Sequence, residues 1–249
     1  MLASSYKTQL IKKLKKMKKL AVFDWNGTLF DDLHANLAGA NAALAIASLP
    51  AIDLETYQRT MLFPISDFYY HHGVTAEVFA KEHERILNAF LETYESEADE
   101  CGLRDKTLDI LSALVDEGYE CIILSNHFMD EVMGRVQKFE IEGYFSEISC
   151  NTKGCIKGAT QLNKEERLKA YIRNGNYDSS SSFIIGDSLE EPAIADRLGL
   201  RSFSVTGGCF DAQRLFKQNT EVINCFSELL PKLRAPKQLN LSPYAAPSP

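Results

Sequence analysis

Two kinds of hydrophobic spacing alternate along the chain. Short apolar runs close on a polar turn at residues 20–24, 120–126 ("ECIILSN"), 181–187 ("SSFIIGD") and 201–208, with a weaker fifth run at 145–150. Near-continuous runs of this kind suit strands buried on both faces, as in a parallel sheet. Between them, apolar positions recur every three or four residues. Residues 107–117 carry Leu108, Leu111, Leu114 and Val115; 130–139 carry Val132, Val136 and Phe139; 164–173 carry Leu168, Tyr171 and Ile172. That period predicts helices. Strands alternating with helices predict an α/β fold with a doubly wound parallel sheet.

Residues 31–104 break the alternation. Segments 33–49 and 75–97 predict amphipathic helices, joined by the aromatic-rich turn region "FPISDFYYHHGV", with no convincing strand between them. The chain is therefore expected to leave the sheet after its first strand, build an inserted α-helical cap over the site, and return for the second strand. The expected organisation is a core of residues 18–30 and 105–233, a cap of 31–104, a basic N-terminal extension of 1–17 and a Pro-rich C-terminal tail of 234–249.

Composition narrows the classes. The 249 residues are 45% hydrophobic, enough for a sizeable core. No apolar run approaches the ~18 residues that suggest a membrane span. The run after the basic N-terminus is also too short for a secretory signal. The expected location is cytoplasmic. The six cysteines contain no C-x-x-C pair, which predicts reduced thiols. Residues 1–19 hold seven lysines and no acid, so within a net charge of −7 the remainder carries −14. An acidic body argues against a nucleic-acid partner. Leu10, Leu14 and Met17 sit at helical spacing within the basic segment, which would suit an anionic surface. A solvated tail, or a start at Met17, accounts for the segment as well, so a membrane partner is not expected. Oligomeric state is not legible.

Candidate chemistry gathers at the strand ends, because parallel α/β sheets bind ligands beyond the carboxyl ends of their strands. The first strand ends in Asp24, the second in Ser125-Asn126, and a later one in Gly186-Asp187. Two carboxylates suit Mg²⁺, which takes hard oxygen ligands and keeps positions for phosphate and water. A carboxylate can also attack phosphorus. The Gly27 and Thr28 amides and the Ser125 hydroxyl could bind phosphoryl oxygens, and a lysine would neutralise charge that builds during transfer. Each element alone is common; their joint order carries the weight.

That order resembles the haloacid dehalogenase superfamily. "FDWNGTL" is similar to its first motif, D-x-D-G-T-L, "IILSN" to its second and "FIIGDSLEE" to its fourth. "EVINCFSELLPKL" (221–233) resembles the last strand and helix of the phosphoglycolate-phosphatase-like branch. The resemblance spans about residues 18–233. It implies a Rossmann-like core, a helical cap after motif one, and Mg²⁺-dependent hydrolysis of a small phosphorylated metabolite through an aspartyl-phosphate. It further implies Asp24 as nucleophile. Asp24 and Asp187 would bind Mg²⁺ by side chain, Asn26 by its backbone carbonyl, and Glu191 through a bound water. Ser125 would hold the phosphoryl group, with Asn126 and His127 beside it. Lys164 is the expected third-motif lysine, with Lys157 and Lys153 as rivals.

Position 26 departs from the pattern, since Asn cannot shuttle a proton and general acid–base help is worth roughly 10²–10⁴-fold. One reading is a slow phosphatase in which another residue such as His127 assists; Asn26→Asp is then expected to raise the rate on unactivated esters. Another is C–P bond cleavage like that of phosphonoacetaldehyde hydrolases, which needs a cap lysine, and residues 31–104 hold only Lys81. Dehalogenation would leave Asp187 without a role. A third reading is a module that binds a phosphorylated ligand or a protein without turnover. In the cap, Phe63, Phe68, Tyr69, Tyr70, His71 and His72 are expected to pack between helices, with Arg59 or His71 as the candidate to reach the far end of a substrate. "YHHG" has no third ligand for zinc.

Overall fold

The computed structural model describes residues 17–152, 163–219 and 221–235. Expectations for residues 1–16, for Lys153, Cys155 and Lys157, and for residues 236–249 lie outside that range. The strands are β1 (Lys19–Phe23), β2 (Tyr119–Phe128), β3 (Phe145–Asn151), β4 (Phe183–Gly186), β5 (Arg201–Val205) and β6 (Val222–Ile223). They form one parallel sheet in the order β3-β2-β1-β4-β5-β6. β1 is thus central, flanked by β2 and β4.

Alternate residues of each strand face opposite sides. Ala21 and Phe23 of β1 join Ile123, Phe183 and Ile185 in one buried cluster. Leu20 and Val22 join Ile122, Leu124 and Ile184 in the other. The first face is covered by α5 (Thr107–Asp116), through Leu111 and Leu114, and by α6 (Met129–Lys138), through Val132 and Val136. Leu229 of α10 (Leu229–Arg234) completes that face. The second face is covered by Leu168 of α7 (Lys164–Asn174) and by Ile194 and Ala195 of α8 (Glu190–Leu198). Helices on both faces of a parallel sheet make a doubly wound, Rossmann-like α/β fold. Among the described residues, no helix is long and apolar enough to cross a membrane.

Four helices lie between β1 and α5: α1 (Leu33–Ile46), α2 (Leu54–Thr60), α3 (Ile65–His71) and α4 (Ala76–Ala98). The turn region read from the sequence is therefore partly helical. Asp53 caps α2 by accepting from the Thr56 amide at 2.8 Å. In α3, Phe68 and Tyr69 point into a core shared with Leu44, Tyr57 and Ile86, so burial outweighs the weak helical preference of aromatic residues. The small residues of α1 let α4 approach closely: a Cβ on Gly39 would lie 2.9 Å from the Phe90 carbonyl oxygen.

Two further differences shape the site. β2 runs two residues past Asn126 after a register shift, where Asn151 donates to the Asn126 carbonyl at 2.6 Å. The strand expected over 201–208 stops at Val205, and the loop after it bends so that the Cys209 amide donates to Asp187 Oδ2 at 2.5 Å. A further core helix, α9 (Ala212–Gln218), follows that loop, and Asp211 caps it by accepting from the Arg214 amide at 3.1 Å.

Candidate active site

Because β2, β1 and β4 are neighbours and run parallel, their carboxyl ends place Ser125, Asp24 and Asp187 together. The Asp24 amide donates to Ile185 O at 3.0 Å, carrying the β1–β4 pairing one residue past the strand. Asp24 Oδ1 accepts from the Trp25 amide at 2.8 Å. Lys164 opens α7, held there by a capping box in which Asn163 and Glu166 satisfy each other's backbone amides. Its ammonium is buried, 3.0 Å from Asp24 Oδ1 and 2.5 Å from Glu191 Oε1. Ser188 donates to the other Glu191 oxygen at 2.7 Å. Both carboxylate oxygens of Glu191 are thus engaged by protein, Lys164 on one and Ser188 on the other. Asp24, Asn26, Ser125, Asn126, His127, Lys164 and Asp187 all line one cavity of about 220 Å³.

Burial sets the electrostatics. It raises the Asp24 pKa well above the usual value; Lys164 opposes it, while Glu191 and Asp187 push the same way. Burial also raises Asp187, to about 6, against the hydrogen bond from Cys209 and with help from the Glu191 and Asp32 charges. Burial acts on Glu191 too, yet the Lys164 charge and hydrogen bond outweigh it and hold Glu191 low. Lys164 is raised, because Asp24 and Glu191 overcome its desolvation.

Asp187 fits only because two glycines flank it. A Cβ on Gly27, whose φ is +65°, would lie 2.3 Å from Asp187 Oδ2, and one on Gly208 would lie 2.1 Å from it. Arg104 ties the same turn down, donating to the Gly27 carbonyl at 2.5 Å and the Thr206 carbonyl at 2.7 Å.

Among the described residues, no group of three or more His, Cys, Asp or Glu side chains forms a metal cage. Two buried carboxylates with raised proton affinity face one cavity instead. That donor set fits Mg²⁺, which takes one or two carboxylates and fills its octahedron with water and phosphate oxygen.

Asn26 is held by a residue that sequence reasoning missed. Asp32 is fully buried. Its Oδ2 accepts from Asn26 Nδ2 at 2.6 Å and from the Tyr94 hydroxyl at 2.6 Å, and its Oδ1 accepts from the Gly27 amide at 2.7 Å. Asn26 Nδ2 also meets the Tyr94 hydroxyl at 2.7 Å. An ionised carboxylate only accepts, so the Asn26 NH₂ faces Asp32 and its Oδ1 faces the Ser125 hydroxyl, 3.5 Å away. Asn26 therefore offers the cavity an acceptor and no donor. Burial raises the Asp32 pKa, opposed by these hydrogen bonds. The sequence signal was an acid just before a helical run, which reads as an N-cap. Asp32 occupies that position in α1 yet makes no capping hydrogen bond.

Other expected residues separate into those brought to the cavity and those that are not. The Gly27 amide is bound to Asp32 and the Thr28 amide donates to Trp25 O at 3.2 Å. Neither is open to a phosphoryl oxygen, which corrects that expectation. The Thr28 hydroxyl is buried without a partner. Arg59 lies outside the cavity, exposed and 3.4 Å from Glu55 Oε1, so it is not placed to reach a substrate there. His71 does not line the cavity either, whereas Phe63, Phe68 and Tyr69 do. Asn126 donates to Glu190 at 3.1 Å. The His127 amide donates to Ser125 Oγ at 3.0 Å, and its Nε2 lies 3.0 Å from Glu95 Oε1. Arg135 holds the other Glu95 oxygen at 2.6 Å.

A family model described as haloacid dehalogenase-like hydrolase matches residues 21–205. Among solved structures, the chain is similar to a haloacid dehalogenase-like hydrolase from Streptococcus pneumoniae, with a TM-score of 0.71, 16% identity, and 87% of this chain and 99% of that one covered. A predicted phosphatase from Clostridium acetobutylicum matches with a TM-score of 0.70 and 19% identity over 88% and 99% of the two chains. A predicted phosphoglycolate phosphatase from Haemophilus somnus matches with a TM-score of 0.62 and 18% identity over 88% and 99%. No curated protein matches the sequence.

Asp32→Ala leaves the buried Gly27 amide and Tyr94 hydroxyl without their acceptor and takes one of two from the half-buried Asn26 amide, and each buried donor left unmet costs about 1–3 kcal/mol. Urea unfolding is expected to show a loss of more than about 3 kcal/mol, with Asp32→Asn losing less because it keeps an acceptor for the Gly27 amide. Equal stability of Asp32→Ala and the parent would mean that this network does not form.

Proposed function

The chain belongs to the haloacid dehalogenase-like hydrolase family, and from that premise we propose that it is a Mg²⁺-dependent phosphomonoester hydrolase acting on a small phosphorylated metabolite. The observation that carries this reading is the Asp24 carboxylate, held by Lys164 at 3.0 Å on the floor of a cavity that also receives Ser125 and Asp187. In this reading the Asp24 carboxylate attacks phosphorus, the bond to the ester oxygen breaks, and an aspartyl-phosphate forms. Lys164 offsets the negative charge that builds, and the Ser125 hydroxyl binds a phosphoryl oxygen. Asp24 and Asp187, with the Asn26 backbone carbonyl, would hold Mg²⁺, which when bound supplies Lewis-acid stabilisation of the phosphoryl oxygens. Helices α1–α4 act as the cap.

The leaving oxygen needs a proton, and the Asn26 amide cannot supply one. His127 is the proposed carrier. It lines the cavity, and Glu95 orients it, itself anchored by Arg135. The acceptor-only face of Asn26 also supports a second reading, a module that binds a phosphorylated ligand without turnover. C–P cleavage through Lys81 is disfavoured: that side chain is exposed, 3.6 Å from Glu82, and does not line the cavity.

Mg²⁺-dependent hydrolysis of 4-nitrophenyl phosphate is expected and should vanish in Asp24→Asn. His127→Ala should slow alkyl phosphates by about 10²-fold while leaving 4-nitrophenyl phosphate within about threefold, since that leaving group needs no acid. No turnover with retained ligand affinity would favour the binding module.

Asp32 alters the expectation for position 26. In Asn26→Asp alone, a second carboxylate would replace the amide 2.6 Å from Asp32 Oδ2, so stability should fall without a clear rate gain. The double change Asn26→Asp with Asp32→Asn keeps one donor and one acceptor between the two positions. It is expected to raise kcat/KM on alkyl phosphates at least about tenfold. If Asn26→Asp alone gives the full gain, Asp32 is not the partner that fixes Asn26.

Asp187, at about 6 when folded against about 3.9 unfolded, binds its proton more tightly in the folded chain. Without metal it favours the fold below pH ~4, and that contribution is lost as pH rises through about 6. Mg²⁺ needs the ionised form and competes with the proton. Added Mg²⁺ is expected to raise Tm by about 5 °C at pH 7.5, by much less at pH 5, and not at all in Asp187→Asn. An equal shift at both pH values would remove Asp187 from the metal site.

A further inference from the structure

The cavity above Asp24 has two chemical halves. Its floor is the polar set already described. Its walls come from the inserted helices and the segment between them: Ala40, Met61, Phe63, Ile65, Phe68 and Phe90. The polar groups among those walls are uncharged, namely the Asn36 amide and the Tyr57, Tyr69 and Tyr94 hydroxyls. Burial pushes all three tyrosines up, so they stay neutral.

Cationic partners are equally restricted. Among the described residues, Lys164 and His127 are the only basic side chains that line the cavity. Lys164 already faces Asp24 and Glu191, and His127 already faces Glu95. Arg59 and Arg85 on the inserted helices pair with Glu55 and Glu82 and do not line it. A second anionic group on a substrate would therefore enter the cavity without a cation to meet it, a costly arrangement in an apolar environment. An apolar body would gain by burial. A dry cavity of about 150 Å³ holds a benzene ring, so about 220 Å³ is room for a phosphoryl group with a single ring or a short alkyl chain.

We propose that this cavity selects the monophosphate ester of a compact, uncharged alcohol with an apolar body, aryl or short alkyl, and rejects esters that carry a second anionic group. The reaction rests on the hydrolase reading above; the selectivity rests on the walls.

The test compares phenyl phosphate with 4-carboxyphenyl phosphate, and n-butyl phosphate with 2-phosphoglycolate, as kcat/KM with Mg²⁺ present. The carboxylate makes the phenoxide a better leaving group, so a preference for the plain phenyl ester has to come from the cavity. The uncharged ester of each pair is expected to be at least about tenfold better, equivalent to about 1.4 kcal/mol. Parity, or preference for the charged ester, overturns the proposal. Calorimetric affinities of phenylphosphonate and 4-carboxyphenylphosphonate, with the same expected ratio, decide the wall chemistry independently of turnover. If no ester is hydrolysed, including 4-nitrophenyl phosphate, the hydrolase reading fails while these affinities still support or overturn the selectivity. Phe63 is 55% exposed at the rim, so Phe63→Ala should fold. It should weaken phenylphosphonate about fivefold and leave methylphosphonate unchanged. Unchanged affinity for phenylphosphonate, or an equal loss for both, counts against the proposal.

Discussion

One buried ammonium sets the terms for the whole site. Lys164 is almost completely removed from solvent and touches Asp24 and Glu191 at once. Charges taken out of water carry a large desolvation cost unless the pairing geometry is good and further hydrogen bonds complete it. Glu191 meets that condition, with Lys164 on one oxygen and Ser188 on the other, and it is held ionised. Asp24 meets it only in part: Oδ1 has Lys164 and the Trp25 amide, and its proton affinity remains high. Among the described residues no cation pairs directly with Asp187, the Arg104 charge acting on it from farther off, and its hydrogen-bond donor is the Cys209 amide. Glu191 is thus the satisfied acid, whereas Asp24 and Asp187 keep a raised proton affinity, and those two line the cavity.

That arrangement depends on the sheet. Were β1 not between β2 and β4, Asp24 could not share a cavity with both Ser125 and Asp187. The two glycines then decide how tightly the loops close. With any side chain at position 27 or 208, Asp187 would have to move. Arg104 locks the same two loops through their carbonyls. Fold topology brings the residues to one end of the sheet; close backbone approach places their atoms.

Much of this was legible in sequence because it follows from local pattern. Four-residue apolar runs marked the central strands, and polar residues at their ends marked Asp24, Ser125 and Asp187. The short helices α2 and α3 were not, since their aromatic residues become helical only by packing into a shared core. Arg59 looked apt because it sits near that aromatic cluster in sequence, yet the turn of α2 sends it toward Glu55. The Gly27 and Thr28 amides looked available because a turn exposes amides in general; here Asp32 and Trp25 take them. Asp32 and Arg104 escaped notice for a common reason. Each acts through a partner distant in sequence, Tyr94 for one and Thr206 for the other, and no spacing rule encodes such contacts.

Helix α4 joins these strands of argument. Its consecutive residues Tyr94 and Glu95 each reach a different group of the core: Tyr94 meets Asn26 and Asp32, and Glu95 meets His127 and Arg135. Phe90, one turn earlier, supplies cavity wall and stacks on Tyr94 with ring centroids 5.8 Å apart. The inserted helices therefore do more than line the cavity. A displacement of α4 away from the sheet would release the Asn26 amide, free the His127 ring and remove an apolar wall in one motion. The apolar wall and the orientation of the two side chains beside Asp24 and Ser125 are consequently coupled through a single helical turn. This coupling also gives a physical reason for an amide at position 26. With Asp32 and Tyr94 already supplying a buried acid and a hydroxyl, a neutral donor completes the network, whereas a second carboxylate would face the first at hydrogen-bond distance.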